Sequence, residues 1–354
     1  MPVVKGAKLL WIETLKCNSA YVWALLFFPF VLVGAPPSHP TPPNEEKPQD
    51  LFQGDRPAFI LSGEWLFWTV AGGGRNYATR MTTPLPSSDQ TLAQGDVADA
   101  SFDWDSGYRF SFGYFRAPHY WEAKIDYTFL HIDGSDQTNC APSSDLFLNP
   151  TFPYFSSEPV ERAVSSTRLH YQLANIIAYR VFLLPNNPHF RLKLGAAITA
   201  TWLRQSWNIR YCAADGITQV KNRWRYWGIG PRVAVNFDWF WGYDIYITGK
   251  YSTALVGGHY RNRFREETTI TKGNALLKEG RLALNISFLL GPSYQKSLSW
   301  GRIELFAGYE LTLWSNLQDT YQSLPSAPAA AKQLWSNRGL LTLHGLTTRL
   351  TLNF

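Results

Sequence analysis

Cys140 and Cys212 are the only cysteines beyond the first twenty residues, and in an oxidising compartment such a pair can close a disulfide. The sequence leaves three fates open: a bridge between them, a cross-link to another molecule, or two free thiols. A bridge needs Cα atoms within about 7 Å of each other. The seven histidines, His39, His119, His131, His170, His189, His259 and His344, could act as bases or metal ligands. They are scattered over turns, loops and expected strands, no pair has ligand spacing on one face, and nothing resembles a nucleophile elbow. HID at His131–Asp133 lies near an expected strand end, where a polar rim is a simpler reading than a catalytic site. AGGGRN at Ala71–Asn76 lacks the GK[ST] ending of a phosphate loop and reads as a flexible exit from a strand. No enzyme, metal centre or cofactor is expected.

The remaining chemistry is ionic. Arg109, Glu122, Lys124, Asp126, Arg168, His170, Arg191, Lys193, Arg232, Asp244, Lys250, Arg281, Glu304 and Glu310 fall on the polar sides of alternating segments. If those sides face the inside of a barrel, the charges could line a water-filled pore with a mild preference for anions. In a narrow barrel they would instead pair across the interior and plug it.

The elements that must position these residues are strands. In WEAKIDYTFLH, Trp121, Ala123, Ile125, Tyr127 and Phe129 alternate with Glu122, Lys124, Asp126 and Thr128. YRFSFGY from Tyr108, FRLKLGA from Phe190 and GYDIYITGKY from Gly242 repeat the pattern with charges in mid-strand. A soluble secreted β-sandwich alternates similarly, but lipid outside and water or ion pairs inside account better for faces this crowded with large residues. Short turns are expected at Arg116–His119, Leu184–His189, around Trp239–Gly242 and at Gly291–Trp300. Long polar loops are expected at Ala71–Asp103, Ile132–Ser165, Ser206–Gln219, Gly257–Gly280 and Ser315–Arg338. Strict alternation of short and long connections is the asymmetry of outer-membrane barrels, and the count predicts about ten strands, within a range of roughly ten to fourteen. Both cysteines then fall in long outer loops. LWSN occurs at Leu313–Asn316 and again at Leu334–Asn337, so Trp314 and Trp335 are expected to face each other in an outer aromatic girdle.

Composition agrees. The chain holds 15 Trp, 18 Tyr and 22 Phe at a mean hydropathy of only -0.20, a ring content suited to girdles. The formal charge of +6 raises a nucleic-acid reading. Without residues 1–35 the balance is 30 basic to 26 acidic, and the densest basic stretch, KNRWRY at Lys221–Tyr226, alternates with rings as a strand would. Lys5, Lys8 and Lys16 ahead of the apolar run Tyr21–Ala35 predict a signal peptide over 1–35, though Pro36 suits signal peptidase poorly. Residues 36–58 read as a proline-rich periplasmic arm and 59–354 as the barrel. Beyond Ala35 no apolar run reaches the about 20 residues of a membrane helix.

GEWLFWTVAGGGRNYA (Gly63–Ala78), DWDSGYRFSFGY (Asp103–Tyr114), WEAKIDYTFLH (Trp121–His131), GIGPRVAVNFDW (Gly228–Trp239), GYELTLWSNL (Gly308–Leu317) and GLTTRLTLNF (Gly345–Phe354) run in order along most of the chain. Together they resemble the major outer membrane proteins of Legionella and of chlamydia-like bacteria. The resemblance implies an abundant outer-membrane β-barrel with porin-like or surface roles and no catalytic residues. It also keeps the cross-linked fate of the cysteines open, since chlamydia-like relatives are associated with disulfide-linked envelopes. The expected function is therefore a monomeric or trimeric porin-like channel, or major surface protein, passing small hydrophilic solutes. The alternative is a closed barrel for surface display, by adhesion or as an envelope scaffold. Expected partners are outer-membrane lipid, the barrel assembly machinery, small solutes, a host receptor under the display reading, and other copies of the chain; nucleic acid is not among them. The terminal RLTLNF puts Leu350, Leu352 and Phe354 on the lipid side as an assembly signal, and the last strand is expected to pair with the first near Phe59.

Overall fold

Period-two alternation makes strands here because each side of the chain meets a different medium. A computed structural model describes residues 57–72, 76–81, 95–116, 120–140, 147–151, 160–183, 189–214, 216–267, 272–323 and 334–354, without the side chains of 183, 272, 318–323 and 334–338. The expected signal peptide and nearly all of the arm lie outside them. The strands are β1 (Ala58–Ala71), β2 (Asn76–Met81), β3 (Gly95–Asp99), β4 (Asp105–Arg116), β5 (Trp121–Asn139), β6 (Phe147–Pro150), β7 (Val160–Leu183), β8 (Phe190–Ala213), β9 (Gly216–Gly242), β10 (Ile245–Glu267), β11 (Lys272–Leu298), β12 (Gly301–Ser323) and β13 (Leu334–Asn353).

Ten of them close an antiparallel ring, running β1, β4, β5, β7, β8, β9, β10, β11, β12, β13 and back to β1. The expected all-β barrel and its strand count are both present. Closure is made by β1 and β13, in register from Ile60 opposite Asn353 to Ala71 opposite Thr342. At the lower end the Phe59 amide donates to the Phe354 carbonyl at 2.7 Å and the Phe354 amide returns to Phe59 at 3.0 Å. Their rings lie 6.3 Å apart. The sheet is thus left without an unpaired edge in the ring.

Outward positions carry Phe110 and Ile176, each 63% exposed, together with Phe112, Ile198, Ile229 and Val233. A continuous band of such residues is costly in water and suited to lipid. The wall continues well past that band. At about 3.3 Å per residue and about 40° of tilt, a strand as long as β9 climbs about 70 Å, against an apolar band of about 25 Å. Several expected loops are therefore strand. Ser206–Gln219 is the end of β8 and the start of β9, and most of Gly257–Gly280 is β10 and β11. Likewise Gly291–Leu298 belongs to β11, and only Ser299 and Trp300 make the turn.

At the outer end β2, β3 and β6 extend the sheet beyond the ring. Tyr77 and Ala78 of β2 are fully buried against Trp207, Ile209, Tyr211 and Phe264. The Tyr211 hydroxyl donates to the Tyr77 carbonyl at 2.5 Å, and the Tyr77 hydroxyl donates to Asp136 at 2.9 Å. Burial, and then Asp136, push the Tyr77 hydroxyl well above its usual range, so it stays protonated as the donor.

Deleting Phe354 removes two closing hydrogen bonds and a ring contact. We expect heat-modifiable barrel in outer-membrane fractions to fall several-fold while total synthesis is unchanged; unaltered assembly would show that closure does not depend on this residue.

Candidate functional site

Strand parity decides which side chains enter the bore. On β1 the even positions Ser62, Glu64, Leu66 and Trp68 point inward, and on β12 so do Glu304, Phe306, Glu310, Thr312 and Trp314. The lower bore holds an ionic layer around a cavity of about 140 Å³. Glu64, with its side chain 1% exposed, is the centre of it. It accepts from Arg109 Nη1 at 2.5 Å, from Lys250 Nζ at 3.4 Å, and faces Arg349 Nη1 at 3.6 Å. Lys250 reaches it from the fourth strand round the ring, so this contact bridges the bore.

Arg109 also donates to both oxygens of Glu310, at 3.1 and 2.9 Å. Arg349 donates to Glu304 at 2.6 Å, Lys193 to Glu122 at 2.6 Å, and Arg191 to Asp238 at 2.5 Å. Arg232 donates to Asn175 Oδ1 at 3.1 Å and to Ser252 at 2.5 Å, while Asn175 donates to Asp126 at 2.7 Å. Buried charges are tolerable when matched in this way, and Arg302, also buried in this layer, lies 5.6 Å from the Tyr246 ring.

Above the ionic layer the bore is packed with apolar side chains. Trp68, Leu130, Ile132, Tyr171, Trp224, Tyr226, Tyr260, Trp314, Leu341 and Leu343 form one buried cluster. The two layers are joined. Trp68 Nε1 donates to Thr347, whose hydroxyl donates to Glu310, and Arg109 lies 5.7 Å from the Trp68 ring. Gly345 makes the fit possible, since a Cβ there would sit 2.2 Å from the Phe67 carbonyl oxygen and 2.9 Å from the indole of Trp68. The register shift between Trp314 and Gln318, with Asn316 at φ 62, lets both Trp314 and Leu317 turn inward, because residues 315–317 of β12 stand against the single Leu340 of β13.

Of the charges expected in the lumen, Arg109, Glu122, Lys124, Asp126, Arg191, Lys193, Arg232, Lys250, Glu304 and Glu310 line the cavity. Arg281 also points inward but higher, over the Tyr260 ring at 3.6 Å, paired with Glu279. Two differ. Arg168 is on the outer wall, donating to Asp133 at 2.6 Å, because β7 turns its odd positions inward. Asp244 is in the β9–β10 turn at φ 61, where its carbonyl accepts from the Gln295 amide. The network's centre, Glu64, was absent from the expected set although its parity in GEWLFW is legible. Asp238 and Arg302 were absent as well.

The expected girdle needs correction: Trp314 is fully buried in the bore beside Tyr171, and the side chain of Trp335 lies outside the described residues. Exposed rings at the upper edge of the apolar band are instead Trp202 and Trp227, and at the lower edge Trp239, Trp241 and Trp300. Leu350, Leu352 and Phe354 do lie on the outer side.

Cys140 and Cys212 are free thiols, not a bridge. The Cys140 amide bonds to Glu161 of the β7 segment, and Cys212 in β8 lies opposite Arg162 of β7. One strand therefore stands between them, about 10 Å of lateral spacing, beyond disulfide reach. Cys140 packs toward the inner cluster, whereas Cys212 follows the inward Tyr211 and so faces out. Burial pushes the Cys140 thiol up, which lowers its reactivity at neutral pH.

A family model described as Legionella pneumophila major outer membrane protein precursor matches residues 54–349. Among solved structures, the outer membrane protease OmpT from Escherichia coli is similar at 9% identity, over 84% of this chain and 96% of that one, with a TM-score of 0.45. A Pseudomonas aeruginosa FadL homologue is similar at 7% identity, over 85% and 90%, with a TM-score of 0.25. Similarity this slight carries nothing of those proteins' activities to this chain. No curated protein sequence matches.

Replacing Glu64 with Gln takes the ion-pair partner from Lys250 and one of two carboxylates from each of Arg109 and Arg349. Unfolding in detergent is expected to show a loss of about 3–5 kcal/mol. Asp133→Asn, on the exposed outer wall, is expected to cost no more than about 1 kcal/mol. Equal, small losses would mean that Glu64 is not the centre of the network.

Proposed function

The chain belongs to the Legionella pneumophila major outer membrane protein family and is a bacterial outer-membrane β-barrel, and from that premise we propose that it is a closed barrel for surface display, not an open solute channel. The observation that carries this is the filled bore. Trp68, Trp224 and Trp314, each less than 2% exposed, lie above a layer of paired charges, where a diffusion channel needs water. A charged lumen alone would suit either reading. The indoles above it favour the closed one.

The height of the wall fits the same role. Strands β7 to β12 rise past the apolar band and carry their outer hairpins away from the membrane surface. A wall braced from inside would hold the outer ends of these strands in place for contact with the surface of another cell. We assign it no catalytic reaction. His131, Asp133, His170 and Arg168 do meet on the outer wall, with His131 Nδ1 2.9 Å from His170 Nδ1 and His131 Nε2 3.2 Å from Asp133, but they are engaged with one another.

In planar bilayers the refolded protein is expected to give no stepwise conductance over a wide voltage range. The double variant Trp68→Ala, Trp314→Ala is expected to leak. Regular steps from the parent chain would restore the porin-like reading.

A further inference from the structure

KNRWRY puts Trp224 and Tyr226 into the bore and leaves Arg223 and Arg225 exposed on the outer wall. Strand pairing multiplies them. Arg225 lies directly opposite Arg204 of β8 and Arg261 of β10, and Arg223 lies opposite Arg263. All five are exposed, and among the described residues none has a carboxylate partner. Like charges facing each other across neighbouring strands destabilise a sheet. Inside the bore Arg109, Arg191, Arg281 and Arg349 are each matched with a carboxylate; on this patch none is supplied among the described residues.

The position of the patch says what anion belongs there. The outward row just below pairs Trp202 with Trp227, and the Trp227 ring lies tilted against His259 with centroids 5.0 Å apart. Below that come Ile229 and Ile198 of the apolar band. The arginines therefore begin one row above the interfacial rings, at the level of lipid headgroups. Guanidinium groups bind phosphate through paired hydrogen bonds, and neighbouring ones can share a phosphate. A soluble polyanion would find no reason in this arrangement for the rings and apolar strip beneath.

We propose that the arginine ladder on β8, β9 and β10 binds the phosphate groups of a phosphorylated glycolipid of the outer leaflet, with the acyl chains lying along the apolar wall below Trp202 and Trp227.

The full chain in neutral detergent can be tested by thermal unfolding with bis-phosphorylated lipid A, with the same lipid stripped of phosphate, and with heparin. The parent is expected to be stabilised by the phosphorylated lipid alone. The variant carrying Arg204→Gln, Arg223→Gln, Arg225→Gln, Arg261→Gln and Arg263→Gln is expected to bind it at least about tenfold more weakly. Without lipid that variant should be no less stable than the parent, because like-charge contacts are relieved; Arg225→Gln alone provides the weaker response if the combined variant does not fold. An equal response to both lipids, or a response to heparin and not to lipid A, would overturn the proposal.

Discussion

Inside a closed wall, charge must be cancelled by charge, and Glu64 is where this barrel does it. Cations from β4, β10 and β13 converge on one carboxylate, and the Lys250 contact ties strands on nearly opposite sides of the ring. Where side chains are this buried, each attraction is stronger than it would be in solvent, and each loss is correspondingly severe. The apolar filling rests on this layer. Glu310 holds Thr347, Thr347 holds the Trp68 indole, and Trp68 belongs to the cluster that includes Trp224 and Trp314. The ionic and apolar layers are therefore joined through one chain of contacts.

The same wall handles arginine in two ways. Facing inward, Arg109 and Arg349 are buried and matched; facing outward, Arg223 and Arg225 are exposed beside other arginines. A single strand, β9, carries both kinds, with Arg232 inside near the bottom and Arg225 outside above the rings. A one-residue change of parity separates a structural role from a contact with the surroundings.

Much of this was legible from alternation. Tyr108 to Tyr114 and Trp121 to Phe129 face outward as their spacing requires, and Phe354 meets Phe59. The failures also follow from parity. Trp314 shares even numbering with Glu304 and Glu310 and so belongs inside, but the repeated LWSN drew attention to a girdle instead. Arg168 looks like a lumen charge until Leu169 and Tyr171, both buried, fix the inward phase of β7. Above the bilayer the outer face turns polar, so the ends of β8 to β11 lose the contrast that marks a strand and read as loops. The cross-bore partners of Glu64 were beyond reach, since sequence gives parity but not which opposite strand lies at the same height.

If the apolar layer seals the ionic chamber from the outer surface, a thiol placed in the chamber is out of reach from that side until the barrel unfolds. Thr312 lines the chamber and is 3% exposed. With Cys140→Ser and Cys212→Ser in place, Thr312→Cys can be challenged in intact membranes with a membrane-impermeant maleimide applied from the outer side. No labelling of the folded barrel and full labelling after heat denaturation are expected; rapid labelling of the folded protein would mean that the chamber is open to the outside.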